Sequence, residues 1–333
     1  MKWLKFSFLV LVFSVYNACN SAPETEEEKK EREASRILPD SNGGILDLIV
    51  IAEENVWEGV AGELVRKYFT QMQYGLPQPE PRFTVNQVTP AQYNSLLKRT
   101  RYQILLSIGD SALEIRTNQH AKNQVLAYFS APTEIALAKM VAATQADLRE
   151  TIREKDRQRV LKRIKSTLSY ETSPVLKQNN IRLGVPRSFE LEVEEPKTLV
   201  YWKKTALEDI GLIVNFRPLP AQQNLMGENI VPVRDSLTKV HILGEREGSY
   251  MITEDLLKPQ LNAQEIEGQF ALEARGLWRT EGDILGGPFL SYTIYDEEHG
   301  QIIYLDTFIF APDQKKRNTL FELEAILKAV EIL

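Results

Sequence analysis

The pattern of apolar and polar positions changes character several times along this chain. Phe6–Tyr16 (FSFLVLVFSVY) is an apolar run of 11 residues. Asn20–Arg36 (NSAPETEEEKKEREASR) is nearly free of apolar residues and dense in charge. From Ile45 onward the pattern is that of a folded protein. Ile45–Ala52 is rich in Ile, Leu and Val, which predicts a buried strand. Asn55 and Glu58 stand at capping-box spacing. Val60, Leu64 and Tyr68 follow at intervals of four beside Ala61, Val65 and Phe69, which predicts a helix. Gly75–Pro81 (GLPQPEP) reads as an extended connector, and Arg82–Val88 as a strand. Thr89–Gln92 is a second capping box, with Pro90 at the first helical position. It opens a short helix containing Tyr93, Leu96 and Leu97. Tyr102–Ile108 and Gln124–Ser130 predict strands. A long helix over about 132–166 keeps Leu137, Val141, Leu148, Ile152, Val160, Ile164 and Leu168 on one stripe. Its length at 1.5 Å per residue is about 50 Å.

The polar stretch Tyr170–Asn180 marks an internal boundary. Beyond it the apolar pattern has mostly the period of strands. Ile181–Val185, Leu199–Lys203 and Leu212–Arg217 predict strands, with Asn262–Glu267 less distinct. Phe270–Trp278, Phe289–Tyr295 and Gln301–Phe310 predict an antiparallel meander closed by a turn at Asp296–Gly300. A final amphipathic helix is capped by Asn318-Thr319, with Thr319 and Glu322 at capping-box spacing. Its inward face is Leu320, Leu323, Ile326, Leu327 and Val330. The fold class is α+β: an N-terminal α/β portion over 40–172, and a C-terminal antiparallel sheet with packed helices over 173–333.

Charge sharpens the picture. The 333 residues carry a formal charge of −6, and losing Lys2 and Lys5 with residues 1–18 takes −6 to −8. An acidic chain disfavours nonspecific binding to nucleic acid, which depends on neutralising phosphates. Arg149–Lys165 is basic, with eight cations against three acids. Opposite an apolar stripe, such a run reads as a solvated face, and contact with anionic lipid is the alternative.

The start of the chain is an address. Two lysines followed by 11 apolar residues make a signal-peptide core, because a membrane span needs about 20. Val15-Tyr16-Asn17-Ala18-Cys19 resembles the lipobox of bacterial lipoproteins, with Tyr16 where leucine is usual. The resemblance implies cleavage of residues 1–18 and lipidation of Cys19 by a diacylglyceryl thioether and an amide-linked acyl chain. Each buried CH₂ of such chains contributes about 0.8 kcal/mol, so several chains hold a protein on a membrane. Residues 19–39 then form a charged tether that lacks the apolar surface to order itself. Cys19 is the only cysteine, which leaves the mature fold without an internal disulfide. The expected place is the outer membrane, on its periplasmic face or at the cell surface.

Two stretches carry candidate chemistry. Gly109-Asp110-Ser111 ends a strand and resembles the nucleophile block of GDSL esterases. Asp296-Glu297-Glu298-His299 has the spacing of that family's second block. A serine nucleophile needs a histidine base and an orienting acid. The family's Gly-x-Asn-Asp block is absent, with Gly227-Glu228-Asn229-Ile230 the nearest match, and His299 falls in a hairpin turn. The plainer reading of Gly109–Ser111 is a turn. His120, His241 and His299 share no zinc-ligand spacing, and neither a metal nor a cofactor is expected.

The second stretch is Arg275–Phe289 (RGLWRTEGDILGGPF). On a strand, Arg275, Leu277 and Arg279 point one way and Gly276 and Trp278 the other. Glu281 and Asp283 belong to the turn that follows. As a binding site, Arg275, Trp278, Arg279, Glu281 and Asp283 suit a glycan or an anionic ligand. As architecture, they make a salt-bridged hairpin with Trp278 in the core. Trp57 and Trp202 read as core residues.

The stretches ILDLIVIAEENVWEGVAGEL, GLPQPEP, Glu247–Met251 and Arg275–Phe289 resemble a family of Bacteroidetes lipoproteins called domain of unknown function 4837. The resemblance runs over nearly the whole mature chain and implies an envelope location and a single family unit. It implies no reaction. The second half is similar at the level of fold to the PsbP/Mog1-like α/β/α sandwich. The function expected is a lipid-anchored envelope protein that binds a glycan, an anionic ligand or a protein partner, or that serves envelope assembly. An envelope hydrolase using Ser111, or carboxylates near Asp283, is the alternative.

Overall fold

The structure, a computed structural model, describes residues 38–170, 173–219 and 230–333. The signal segment 1–18, Cys19 and most of the tether lie outside the described residues, as do Gly227–Asn229. Among the described residues no helix is long and apolar enough to cross a membrane.

The N-terminal portion begins with β1 (Asp47–Ile51), α1 (Glu54–Glu58), α2 (Val60–Phe69) and β2 (Thr84–Val88). It continues with β3 (Tyr102–Ile108), β4 (Ala112–Thr117), β5 (Val125–Ala131) and α3 (Glu134–Ile164). Its sheet runs β2-β1-β3-β5-β4, parallel except for β4 on β5. Central strands of a parallel sheet are buried on both faces, and Leu48, Ile49, Val50 and Ile51 are all buried. Helix α3 starts where Thr133 accepts a hydrogen bond from the Ala136 amide at 3.3 Å. Its stripe Leu137, Val141, Leu148, Ile152 and Val160 is buried against the sheet and α2.

The C-terminal portion contains β6 (Glu190–Glu195), β7 (Thr198–Lys204), β8 (Asp209–Pro218), α4 (Ile230–His241) and β9 (Tyr250–Thr253). Next come β10 (Gln260–Ile266), β11 (Gln269–Glu281), β12 (Gly286–Asp296), β13 (Gln301–Phe310) and α5 (Arg317–Lys328). The eight strands run β9-β11-β12-β13-β8-β7-β6, and β10 shares with β9 the same edge of the long β11. One face carries Leu212, Leu290, Tyr292, Ile294 and Leu305 under α5. The other carries Val200, Ile213, Trp278, Phe289 and Phe308, with Ile230 of α4. The sheet is thus packed on both faces, in an α+β arrangement.

Three helix starts differ from their sequence signals. Helix α1 begins at Glu54 with no side-chain cap; Asn55 lies inside it and caps nothing. The Thr89–Gln92 box forms, but it closes only a 3₁₀ turn over Pro90–Gln92, followed by another over Leu97–Arg99. Helix α5 begins at Arg317, ahead of Asn318-Thr319, without a local side-chain cap. Its free amides are taken by the Glu80 carboxylate of the proline-rich connector, 2.7 Å from Lys316 N and 3.3 Å from Arg317 N. A carboxylate there also meets the positive end of the helix dipole. Strands β4, β6 and β9 and helix α4 lie where no element is predicted. Ile181–Val185 divides into two-residue strands at Ile181–Arg182 and Val185–Pro186.

The two portions pack through α3 and α5. Phe321 and Ala325 of α5 belong to the N-terminal core cluster. Arg317 donates to the carbonyls of Pro81 and Ile45, at 2.9 and 3.1 Å. The connector also lies on the C-terminal sheet: a Cβ at Gly75 would come within 3.0 Å of the Gly276 amide nitrogen.

Candidate functional site

Most of the basic run Arg149–Lys165 was expected to face solvent. Arg149, Arg153 and Arg157 recur at intervals of four on α3, so they share a helix face. That face looks into a cleft of about 310 Å³ between the two portions. The opposite wall is the edge strand β10, where Gln260, Asn262 and Gln264 alternate and so project to one side. Arg82 closes the connector end, and Arg275, Glu273 and Glu324 form the floor.

The floor is a buried ion network. Arg275 Nε donates to Glu273 Oε1 at 2.7 Å, and its Nη2 donates to Glu273 Oε2 at 3.0 Å and Glu324 Oε2 at 2.7 Å. Arg153 Nη2 crosses from α3 to both oxygens of Glu324, at 2.9 and 3.0 Å. The Tyr292 hydroxyl donates to Glu273 Oε2 at 2.9 Å. Burial pushes the Glu324 carboxyl up, but Arg153, Arg275 and Lys328 outweigh it and hold it well below the usual range. Glu273 follows the same logic: burial opposes the charge, and Arg275 lowers the net value.

Arg82 is different. Its Nε is buried and has no hydrogen-bond partner, and its side chain makes no ion pair among the described residues. Burial lowers its pKa, and the neighbouring Arg153, Arg149 and Arg275 lower it further. Arg149 donates only to the carbonyls of Gln145 and Tyr68, both at 3.3 Å. Across the whole lining, six cations face four carboxylates, leaving two positive charges unmatched. A guanidinium without an acceptor, set among others that carry excess positive charge, is an arrangement an anion completes.

Of the candidate residues, only Arg275 lies in this cleft. Trp278, three residues on, points through the opposite face of β11 as the alternation requires and is buried. It lines an aromatic pocket of about 350 Å³ with Trp202, Phe308 and Phe310. Trp202 is therefore a pocket wall, only partly buried. Arg279 is partly exposed and pairs with Glu281 at 2.7 Å. Asp283 accepts from the amides of Ile284, Glu245 and Arg246, and these bonds, Ile284 first, lower its pKa. It fastens the loop before β9. The glycines serve the packing of the sheet: a Cβ at Gly287 would meet the Ile309 carbonyl at 2.0 Å.

Ser111 is exposed in the connection between β3 and β4, in the N-terminal portion. His299 sits in the β12–β13 turn, its Nδ1 2.8 Å from Asp296 Oδ2, and makes no hydrogen bond to Ser111. A fluorophosphonate probe is expected to leave no adduct on Ser111, read by peptide mass spectrometry; a stoichiometric adduct lost in His299→Ala would establish a serine hydrolase.

Fold and site together define an α+β protein of two packed portions with an arginine-lined cleft between them. Residues 169–329 match the family model Domain of unknown function (DUF4837). Residues 41–165 match a separate model, Domain of unknown function (DUF8532). Two family models therefore match adjoining stretches of the chain, where the resemblance implied a single family unit. No curated protein matches in sequence. Among solved structures, the Saccharomyces cerevisiae Ran-binding protein Mog1p is similar at 11% identity and TM-score 0.31, over 47% of this chain and 92% of that one. A point mutant of protein Mog1 is similar at 10% identity and TM-score 0.32, over 50% and 94% of the two chains.

Proposed function

We propose that this protein is a lipid-anchored, non-catalytic binding protein of the cell envelope, an outer-membrane lipoprotein whose anionic ligand sits between its two portions. The carrying observation is the Arg82 side chain: it lines the cleft with Arg149 and Arg153, its Nε is buried without a hydrogen-bond partner, and it makes no ion pair among the described residues. Buried polar groups are normally satisfied, and exceptions mark function or a missing ligand. The anchor rests on Cys19 at the end of the apolar run.

Both parts are testable in native envelopes. Cys19→Ala is expected to abolish incorporation of labelled fatty acid and to release the protein from the membrane fraction. If the variant keeps its label, the anchor lies elsewhere. Protein purified in mild detergent is expected to carry an anionic small molecule, identified by mass spectrometry, that Arg82→Gln loses. The Arg82 side chain makes no hydrogen bond among the described residues, so this variant should fold. Identical small molecules from both proteins would remove the cleft as the ligand site.

A further inference from the structure

We infer that the ligand is a phosphorylated monosaccharide, its phosphomonoester held by Arg82 and Arg149 and its hydroxyls by the amides of β10. The inference rests on the cleft being the ligand site, as proposed above, and adds the chemical class.

Charge selects the anion. Glu273 is held by Arg275, Glu324 by Arg153 and Arg275, and Glu154 by Arg157. Glu150, the fourth carboxylate of the lining, makes no ion pair among the described residues and acts on Arg149 beside it; with it counted, the lining carries two more positive charges than negative. A phosphomonoester brings about two negative charges at neutral pH and three acceptor oxygens. A carboxylate brings one charge and two oxygens, and would leave the arginines partly uncompensated. Burial first, and then the neighbouring Arg153, Arg149 and Arg275, lower the Arg82 pKa, and a dianion beside it acts in the opposite direction. Planar guanidinium forks approaching from the connector and from α3 suit a tetrahedral group with acceptors on several sides.

The far wall selects what carries the phosphate. Gln260, Asn262 and Gln264 each offer a donor and an acceptor. Asn262 spends one donor on Glu273, and Gln264 accepts from Lys328, both at 3.2 Å. Gln260 spends nothing on the protein among the described residues. Amides that both donate and accept match hydroxyl groups, which do the same. A volume of about 310 Å³ lies at the small end of ligand pockets and holds one sugar ring with its phosphate. The walls come from both portions, so a bound ligand joins them.

Isothermal titration of the detergent-solubilised full chain tests this with four probes: inorganic phosphate, glucose 6-phosphate, glucuronate and glucose. Glucose 6-phosphate is expected to bind most tightly, inorganic phosphate measurably, and glucuronate about tenfold or more weaker than glucose 6-phosphate. Arg82→Gln should weaken both phosphate probes by about tenfold or more, the effect of losing a charged hydrogen bond. Gln260→Ala should weaken glucose 6-phosphate and leave inorganic phosphate unchanged. If glucuronate binds as tightly as glucose 6-phosphate, the phosphate assignment fails while the anionic cleft stands. If neither phosphate probe binds, or if Arg82→Gln leaves their binding unchanged, the phosphate assignment is overturned. If no anion binds and envelope-purified protein carries none, the cleft reading fails with it.

Discussion

Glu324→Ala is expected to lower stability by about 3–5 kcal/mol, the cost of stranding buried charges by removing their partner. Typical domains are stable by only about 5–15 kcal/mol, so this is a large loss. Glu324 is 4% exposed and holds Arg275 from the sheet and Arg153 from α3 at once. The variant leaves Arg275 with Glu273 alone and removes the Arg153–Glu324 ion pair, one of those that join α3 to α5. The same carboxyl sets an acid limit. Its folded pKa lies below the unfolded value, because Arg153, Arg275 and Lys328 outweigh burial. Its stabilisation is therefore complete above the ordinary glutamate range, near pH 4.3, and is lost as pH falls toward the folded value. Melting curves from pH 7 to pH 3 should show the wild type losing stability below about pH 4.3, with Glu324→Ala lower throughout and its acid decline shallower. A variant that melts with the wild type at pH 7 would show that the network contributes no net stability.

Trp278→Ala is expected to cost about 3–5 kcal/mol, the usual loss for a buried tryptophan. The indole is 4% exposed and packs edge-on to Phe308 at 5.9 Å and tilted to Phe310 at 6.4 Å. Its Nε1 is buried without a partner, so Trp278→Phe removes an unpaired donor along with area and should cost less than the alanine variant. Arg279→Ala is the contrast. Its ion pair with Glu281 is half-open to water, and such pairs contribute under about 1 kcal/mol. Urea denaturation of the three variants orders them. Trp278→Ala melting like the wild type, or Arg279→Ala unfolding, would reverse the architectural reading of this hairpin.

How far the site was legible depends on which interactions are local. Arg275 stood out in the sequence, and alternation along β11 correctly set it opposite Trp278. What surrounds Arg275 was not legible. Glu324 is 49 residues away, Arg153 reaches the same carboxylate from 171 residues away, and Arg82 stands just after the connector, at the start of a stretch read only as a strand. The spacing of Arg149, Arg153 and Arg157 was readable as one helix face. Charge on that face looked like solvation, because a helix sequence does not record what packs against its polar side. The Glu80 cap was hidden for the same reason: its partner amides lie 236 residues on. At Asn318-Thr319 a local motif was present, but α5 starts one residue earlier on that distant carboxylate.

By itself the sequence determined what short-range physics controls. The period of apolar residues placed α3 within two residues of its ends and located the meander β11–β13. The change of pattern near residue 170 was read as an internal boundary. The α+β class follows from those periods, because each apolar face must find a covering layer. Only the tertiary structure decided that the polar face of α3 meets the edge strand β10. That packing collects arginines from the end of the connector, α3 and β11 around one cavity and leaves Arg82 Nε without a hydrogen-bond partner among the described residues. Periodicity reports whether a residue faces inward or outward, whereas a cleft is made by outward faces brought together, and their meeting is set by contacts far apart in the chain.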